Sequence, residues 1–171
     1  SRPEMRRCLV CGGPVAVCSR SRAHGLDAIC AETTRRLAEF ACTTLGDLAA
    51  DALREEAALS PKPGLVDSCT NGAHTDMDYD TFAASTTAIV PYLARMFEAG
   101  YTWESKDFNA LFESIRPIGI EAEKAMFAAT DGVNTHKGMI FSMGTIAAAA
   151  GLFYKRHEKF DAEKILIRSE E

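Results

Sequence analysis

A short connector, Thr130-Asp131-Gly132-Val133-Asn134-Thr135-His136-Lys137-Gly138, places an Asp-Gly turn, an amide, a hydroxyl, an imidazole and a lysine side by side. A nearly uncharged stretch, residues 138–154, follows it. The polar groups therefore sit where a loop enters the first turn of a helix that its composition marks as buried. Free backbone N–H groups and a positive dipole end make such a helix start a favourable place for phosphate. His136 and Lys137 add side-chain donors, and Asn134 and Thr135 add neutral polar ones.

Upstream lies a second polar cluster, Ser60-Pro61-Lys62-Pro63-Gly64-Leu65-Val66-Asp67 and then Asn71-Gly72-Ala73-His74-Thr75-Asp76-Met77-Asp78. Two prolines stiffen the backbone around Lys62, so its ammonium is presented at low entropic cost. Asp76 and Asp78, two residues apart, can offer oxygens to Mg²⁺, which takes one or two carboxylates together with substrate phosphates. Asp78 and Asp80 also suit the caps of a helix starting near Tyr79. Asn71-Gly72 reads equally well as a turn. The two clusters combine cations for phosphate with carboxylates for metal, a set suited to polyphosphate chemistry.

The elements that must position these groups are helical. Over residues 31–58, Leu37, Phe40, Leu45, Leu48 and Ala52 form one face, and Pro61 and Pro63 stop the helix. A second helix is expected over 79–98, with Phe82, Thr86, Ile89, Leu93 and Phe97 in a stripe and Gly100 as its stop. Ser105 is expected to cap a third carrying Phe108, Leu111, Phe112 and Ile115, which Pro117 and Gly119 interrupt. A fourth runs over 120–129, a buried fifth begins near His136, and a short amphipathic piece covers 160–167. No alternating strand pattern or internal repeat is present. The expected fold is all-α, a multi-helix globular bundle around a buried central helix.

Two acids in the fourth helix differ in direction. Ile118, Ala122, Ala125, Met126 and Ala129 mark its inward face, and Glu121, three and four residues from Ile118 and Ala125, borders that face. Glu123 is rotated by about 200° from it. The expectation is that Glu121, rather than Glu123, meets substrate or metal; the alternative is that both are solvated.

Strings in these clusters resemble a known family. "SPKPGLVD", "NGAHTDMD", "GIEAEKAM" and "ATDGVNTHKGMIF", in that order, are similar to the triphosphoribosyl-dephospho-CoA synthases, over residues 33–152. Residues 7–28, "RCLVCGGPVAVCSRSRAHGLDA", resemble the C-terminal end of the holo-citrate lyase transferase, which in some bacteria is fused ahead of the synthase. The resemblance implies a division into 1–30, a transferase remnant, and 31–171, the N-terminal part of a synthase. Synthases of this kind continue past the position of Glu171 and carry a further Asp-Thr-Asn motif there. The chain thus reads as a piece cut across the junction, with apolar helix faces that would dimerise if left uncovered.

The implied reaction joins ATP and 3′-dephospho-CoA. The ribose 2′-hydroxyl of 3′-dephospho-CoA attacks the anomeric carbon of ATP's ribose, adenine leaves, and the triphosphate stays on the transferred sugar. The product is the prosthetic-group precursor for the acyl carrier subunit of citrate lyase, or for malonate decarboxylase. This chemistry needs cations and Mg²⁺ on the triphosphate, a carboxylate near an oxocarbenium-like carbon, a base for the hydroxyl and a proton donor for adenine. On the matching positions, Lys62, Asn71, Asn134, Thr135, His136 and Lys137 are expected to hold phosphate and substrate. Asp76, Asp78 and Glu121 would hold Mg²⁺. Glu121, Asp76 and His74 would serve the chemistry, with His74 and Asn134 orienting the ribose or protonating adenine. Two other readings use the same residues: a metal-dependent phosphohydrolase with His74, Asp76, Asp78 and Glu121 as ligands, and a non-catalytic module that binds nucleotide or carrier protein.

Composition narrows the class. At 171 residues, 47% hydrophobic and 25% charged, the chain has the make-up of a globular protein able to bury a core. A net charge of −5 argues against a general nucleic-acid binder. The apolar run falls short of the ~20 residues of a membrane span. With no secretory signal, the six cysteines (8, 11, 18, 30, 42 and 69) are expected to be reduced thiols in the cytoplasm. Cys8-x-x-Cys11 with Cys18 and His24 departs from the usual zinc-finger spacings, and reads as cysteines that pack or sit exposed.

Overall fold

The computed structural model describes residues 5–157 and 161–170. Among the described residues six helices follow in order: α1 (Val15–Ser21), α2 (Leu26–Ala58), α3 (Tyr79–Thr102), α4 (Phe108–Ala129), α5 (Lys137–His157) and α6 (Ala162–Glu170). Among the described residues the β pairing is an isolated bridge, Arg7 to Pro14. The fold is all-α, as the periodicity requires. The chain divides into two compact units, Ser1–Ala41 and Cys42–Glu171, and α2 supplies residues to both.

In the second unit, α3 packs on α4 and α5, and α5 also meets α6. The stripe expected on α3 is buried at Thr86, Ile89, Leu93 and Phe97, joined by Ser85, Met96 and Gly100. Covering each of its large apolar side chains contributes ~1.5–3 kcal/mol. α5 is the buried central helix: residues 147–153 are all buried. Its closeness to α3 depends on two glycines. A Cβ on Gly100 would lie 1.9 Å from the Ala148 carbonyl oxygen, and one on Gly151 would lie 2.1 Å from that of Phe97. Gly100 is therefore not the helix stop it was expected to be. It lies within α3, where it lets two helix backbones touch.

The sequence also misplaces two other boundaries and one face. α4 runs unbroken through Pro117. Leu111 and Ile115 before the proline, and Ala122 and Met126 after it, are buried on the same face. Burial of these four side chains outweighs the ~3 kcal/mol a helix-interior proline costs. The cap of α4 is Asp107, whose Oδ1 accepts from Ala110 N at 3.1 Å; Ser105 Oγ instead accepts from Asp107 N. On α2 the expected face is the wrong one. Leu37, Phe40 and Leu48 are exposed, whereas Ala49, Ala50, Leu53 and Ala57 are buried. Near these buried residues, Gly46 faces Val90 and Ala94 of α3. Of the expected 160–167 piece, Phe160 lies outside the described residues, and α6 buries Ile165. No helix among the described residues is long and apolar enough to cross a membrane.

Candidate active site

Residues 59–78 link α2 to α3, and Asp67 organises them. Its carboxylate is buried and accepts four hydrogen bonds: Ser60 Oγ (2.8 Å) and Lys62 N (3.2 Å) on Oδ2, and Cys69 N and Thr70 N (both 2.8 Å) on Oδ1. Led by the Cys69 N–H, these donors hold its pKa down at about 2. The Ser60–Pro61 peptide is cis. Gly72 has φ +58°, and a Cβ there would lie 2.5 Å from the Leu65 carbonyl oxygen, so the loop closes on itself only with glycine. This scaffold presents Lys62, whose mostly covered side chain places Nζ 3.0 Å from Glu56 Oε1.

A buried polar chain lies at the start of α5. Thr135 Oγ1 donates to Ser85 Oγ at 2.7 Å, and Ser85 Oγ is 2.7 Å from His136 Nδ1. Ser85 Oγ thus joins Thr135 to the imidazole ring. The Phe82 ring packs edge-on against the imidazole. Burial pushes the His136 pKa down, and the charge of Glu56 opposes that shift. His136 is buried, and its imidazole is held toward the neutral form. Glu56 pairs with Lys62, and its charge is also felt at His136. Asn134 Oδ1 accepts from Lys137 N at 3.2 Å and so caps α5.

The two acids of α4 have different surroundings. Ala122 is fully buried, and at 100° per residue Glu121 and Glu123 stand on its opposite flanks. Helical spacing alone treats the two flanks alike. Glu121 Oε2 is 2.6 Å from Arg95 Nη1, both side chains about half exposed. Glu123 is the more covered acid, pairs with Lys137 Nζ at 3.3 Å, and borders a largely apolar cavity of about 560 Å³. Met96, Phe112, Ile115, Ile140 and Phe141 form much of its wall. Arg95 follows Asp78 by 17 positions, roughly 25 Å along a helix axis, so Glu121 cannot share one cation with Asp76 and Asp78. This spacing sets Glu121 apart from the other two carboxylates. Of these, Asp78 commits Oδ1 to a capping box with Thr81 (2.8 Å to N), which lowers its pKa. Asp76 is exposed, 3.7 Å from His74 Nδ1.

Residues 42–169 match the family described as ATP:dephospho-CoA triphosphoribosyl transferase. That match covers most of the chain. The chain belongs to this triphosphoribosyl transferase family. Residues 2–40 match a second family, apo-citrate lyase phosphoribosyl-dephospho-CoA transferase. A probable 2-(5″-triphosphoribosyl)-3′-dephosphocoenzyme-A synthase of Vibrio cholerae is 54% identical over 123 residues, 71% of this chain and 39% of the relative. Protein CitXG of Haemophilus influenzae is 41% identical over 167 residues, 96% of this chain and 34% of the relative. The 2-(5″-triphosphoribosyl)-3′-dephosphocoenzyme-A synthase of Haemophilus ducreyi is 40% identical over 148 residues, 86% of this chain and 46% of the relative. The chain therefore spans between a third and a half of these relatives. No solved structure matches it.

Thr135, His136 and Lys137 lie together at the start of α5, joined to α3 through Ser85. Asn134 is engaged in capping and Asn71 lies exposed in the turn before Gly72. Sequence reasoning missed Ser85, the centre of the polar chain, and Asp67, the hub of the loop. Asp67 had a readable signal in the Asp-Ser-Cys-Thr run, where a carboxylate can accept from N–H groups two and three residues on. Ser85 had none, since its partners are 50 and 51 residues away.

Proposed function

We propose that this chain carries the triphosphate-holding part of an active site that transfers the triphosphoribosyl group of ATP to the ribose 2′-hydroxyl of 3′-dephospho-CoA, releasing adenine. The observation that supports this most is the Thr135–Ser85–His136 chain, which joins α3 to the start of α5 beside Lys137. The starts of both α3 and α5 lie there, and Ser85 of α3 reaches His136 at the beginning of α5. Two helix N-termini and two lysines favour a polyanion. Each lysine is paired with a glutamate, Glu56 or Glu123, which holds it in place and would yield it to phosphate.

Asp76 and Asp78 would hold Mg²⁺, which supplies charge neutralisation along the triphosphate. Their donor set fits, since Asp76 is exposed and both are carboxylates beside a helix start. The chain's own residues have separate tasks. Lys62 and Lys137 anchor the triphosphate so that the sugar stays put while its bond to adenine breaks. The His74–Asp76 pair is suited to take the proton of the attacking hydroxyl. His136, buried and held toward its neutral form, would contribute a hydrogen bond without adding a charge. The apolar cavity beside Glu123 suits an uncharged portion of a substrate, with that carboxylate at its edge. The product would feed the acyl carrier subunit of citrate lyase, and the cytoplasm, where thiols stay reduced, is the matching compartment.

Chromatography of ATP plus 3′-dephospho-CoA with Mg²⁺ and this chain tests the proposal, with nucleotide affinity measured in parallel by calorimetry. Adenine formed only with both substrates supports the transfer. Nucleotide binding without adenine would confine the chain to holding substrate. Phosphate released from ATP alone would turn the reading to a phosphohydrolase, and a helical chain that binds no nucleotide would overturn it.

A further inference from the structure

The first unit contains a group of side chains that the transferase reading does not use. One ligand atom from each of Cys8, Cys11, Cys18 and His24 can be chosen so that all four lie within 4.8 Å of one another. Cys11 and Cys18 bring their Sγ atoms to 3.5 Å. That exceeds a disulfide bond of ~2.05 Å. It is close to the edge of a tetrahedron built on Zn–S bonds of ~2.3 Å, roughly 3.8 Å. His24 Nε2 is shut off from solvent with no hydrogen-bond partner. An orphaned buried imidazole nitrogen is costly unless something electrophilic meets it.

The backbone around Cys8 is shaped for the same purpose. Cys8 N donates to Gly13 O (2.6 Å) and Gly12 N donates to Cys8 O (2.9 Å), closing a tight turn in which Gly12 takes φ +71°. Arg7 and Pro14 then pair across it. The turn directs the backbone N–H groups of Cys11 and Val10 at the Cys8 sulfur. Such donors stabilise a thiolate. Cys18 comes from α1, and His24 from the link between α1 and α2. Three stretches of chain thus deliver ligands to one point. Among described residues 5–40, Cys8 is the sole buried one, so this stretch has almost no apolar core of its own. Short units of that kind are commonly held by a metal.

We propose that Cys8, Cys11, Cys18 and His24 bind one zinc ion in a closed, four-ligand structural site. Three thiolates and an imidazole in tetrahedral array select zinc over harder cations. With four protein ligands no coordination position remains for substrate, so the ion holds the 7–14 turn, α1 and the entry to α2 together and takes no part in transfer. Binding displaces protons from the thiols, and affinity falls as pH is lowered.

The test uses the whole chain, purified under reducing conditions. Elemental analysis should give one zinc per chain. After chelation, added Co²⁺ should produce intense tetrahedral d–d absorption and thiolate-to-cobalt charge transfer. Cys18→Ser and His24→Gln should weaken zinc, measured by competition with a chromophoric chelator, by about 100-fold or more. Cys30→Ser, on α2 and outside the cluster, should leave it unchanged. The proposal is overturned if the wild-type chain retains no zinc and leaves Co²⁺ octahedral, a result that needs no variant to fold. It is equally overturned if Cys8→Ser keeps the full cobalt spectrum. Thiol titration showing Cys11 and Cys18 joined as a disulfide in the purified chain would replace it with a redox pair.

Discussion

Three glycines inside the helices should respond to alanine with opposite signs, and the contrast tests the α3–α5 packing directly. Alanine is favoured over glycine in a helix interior by up to ~1 kcal/mol. At Gly46 the new Cβ would meet Val90 at 3.6 Å and Ala94 at 3.9 Å, which is ordinary contact. Gly46→Ala should therefore stabilise by up to ~1 kcal/mol. At Gly100 the Cβ would fall 1.9 Å from a backbone oxygen, about 1.5 Å short of ordinary contact, and no rotamer change can relieve it. The two helices must part, loosening Leu93, Phe97, Ala147 and Leu152 around the contact. A gap of 0.5–1 Å forfeits roughly a quarter to a half of each dispersion contact. Overpacking of this kind costs ~1–3 kcal/mol, and here backbone meets backbone, which favours the upper end. After the helical gain is subtracted, Gly100→Ala should lose ~2 kcal/mol or more, and Gly151→Ala should behave alike. In thermal unfolding followed by circular dichroism, Tm should fall by at least ~4 °C for Gly100→Ala and rise by ~2–4 °C for Gly46→Ala. A Gly100→Ala chain as stable as wild type would refute the close approach of α3 and α5.

Further predictions concern the site. Lys62→Met and Lys137→Ala should each weaken Mg·ATP binding by ~10-fold or more in calorimetry, with the helical signal retained; unchanged affinity in either would remove that lysine from the phosphate site. Glu121→Gln should alter stability by no more than ~1 kcal/mol, because its pairing with Arg95 is largely solvated, and should leave the Mg²⁺ requirement for nucleotide binding untouched. Asp76→Asn should raise that requirement by ~10-fold. His136 has a folded pKa below its ordinary 6.5, so below that pH the unfolded chain binds more protons and stability should rise with pH. His136→Gln should flatten this dependence in urea titrations. Asp67, held at about 2 against an ordinary 3.8, stabilises fully above pH 3.8 and loses that contribution as pH falls toward 2. Asp67→Asn should remove this acid limb.

The sequence alone carried everything that depends on near neighbours along the chain. The 3.6-residue spacing of Thr86, Ile89, Leu93 and Phe97 fixed the buried face of α3. The apolar run 138–154 fixed a central helix, and Pro61 and Pro63 fixed the end of α2. The long polar strings marked the family. What it could not carry were choices made between distant segments. Gly100 looks the same whether it ends a helix or admits another backbone, and only Ala148 decides. Glu121 and Glu123 flank the buried Ala122 symmetrically, and only the positions of Arg95 and Lys137 tell them apart. Ser85 is one more small residue in a helix until Thr135 and His136 fold against it. Cys8, Cys11, Cys18 and His24 lack a familiar spacing, yet a tight turn and a helix bring them to one point. Spacing along a helix fixes direction to within a face; tertiary packing decides which partner waits there.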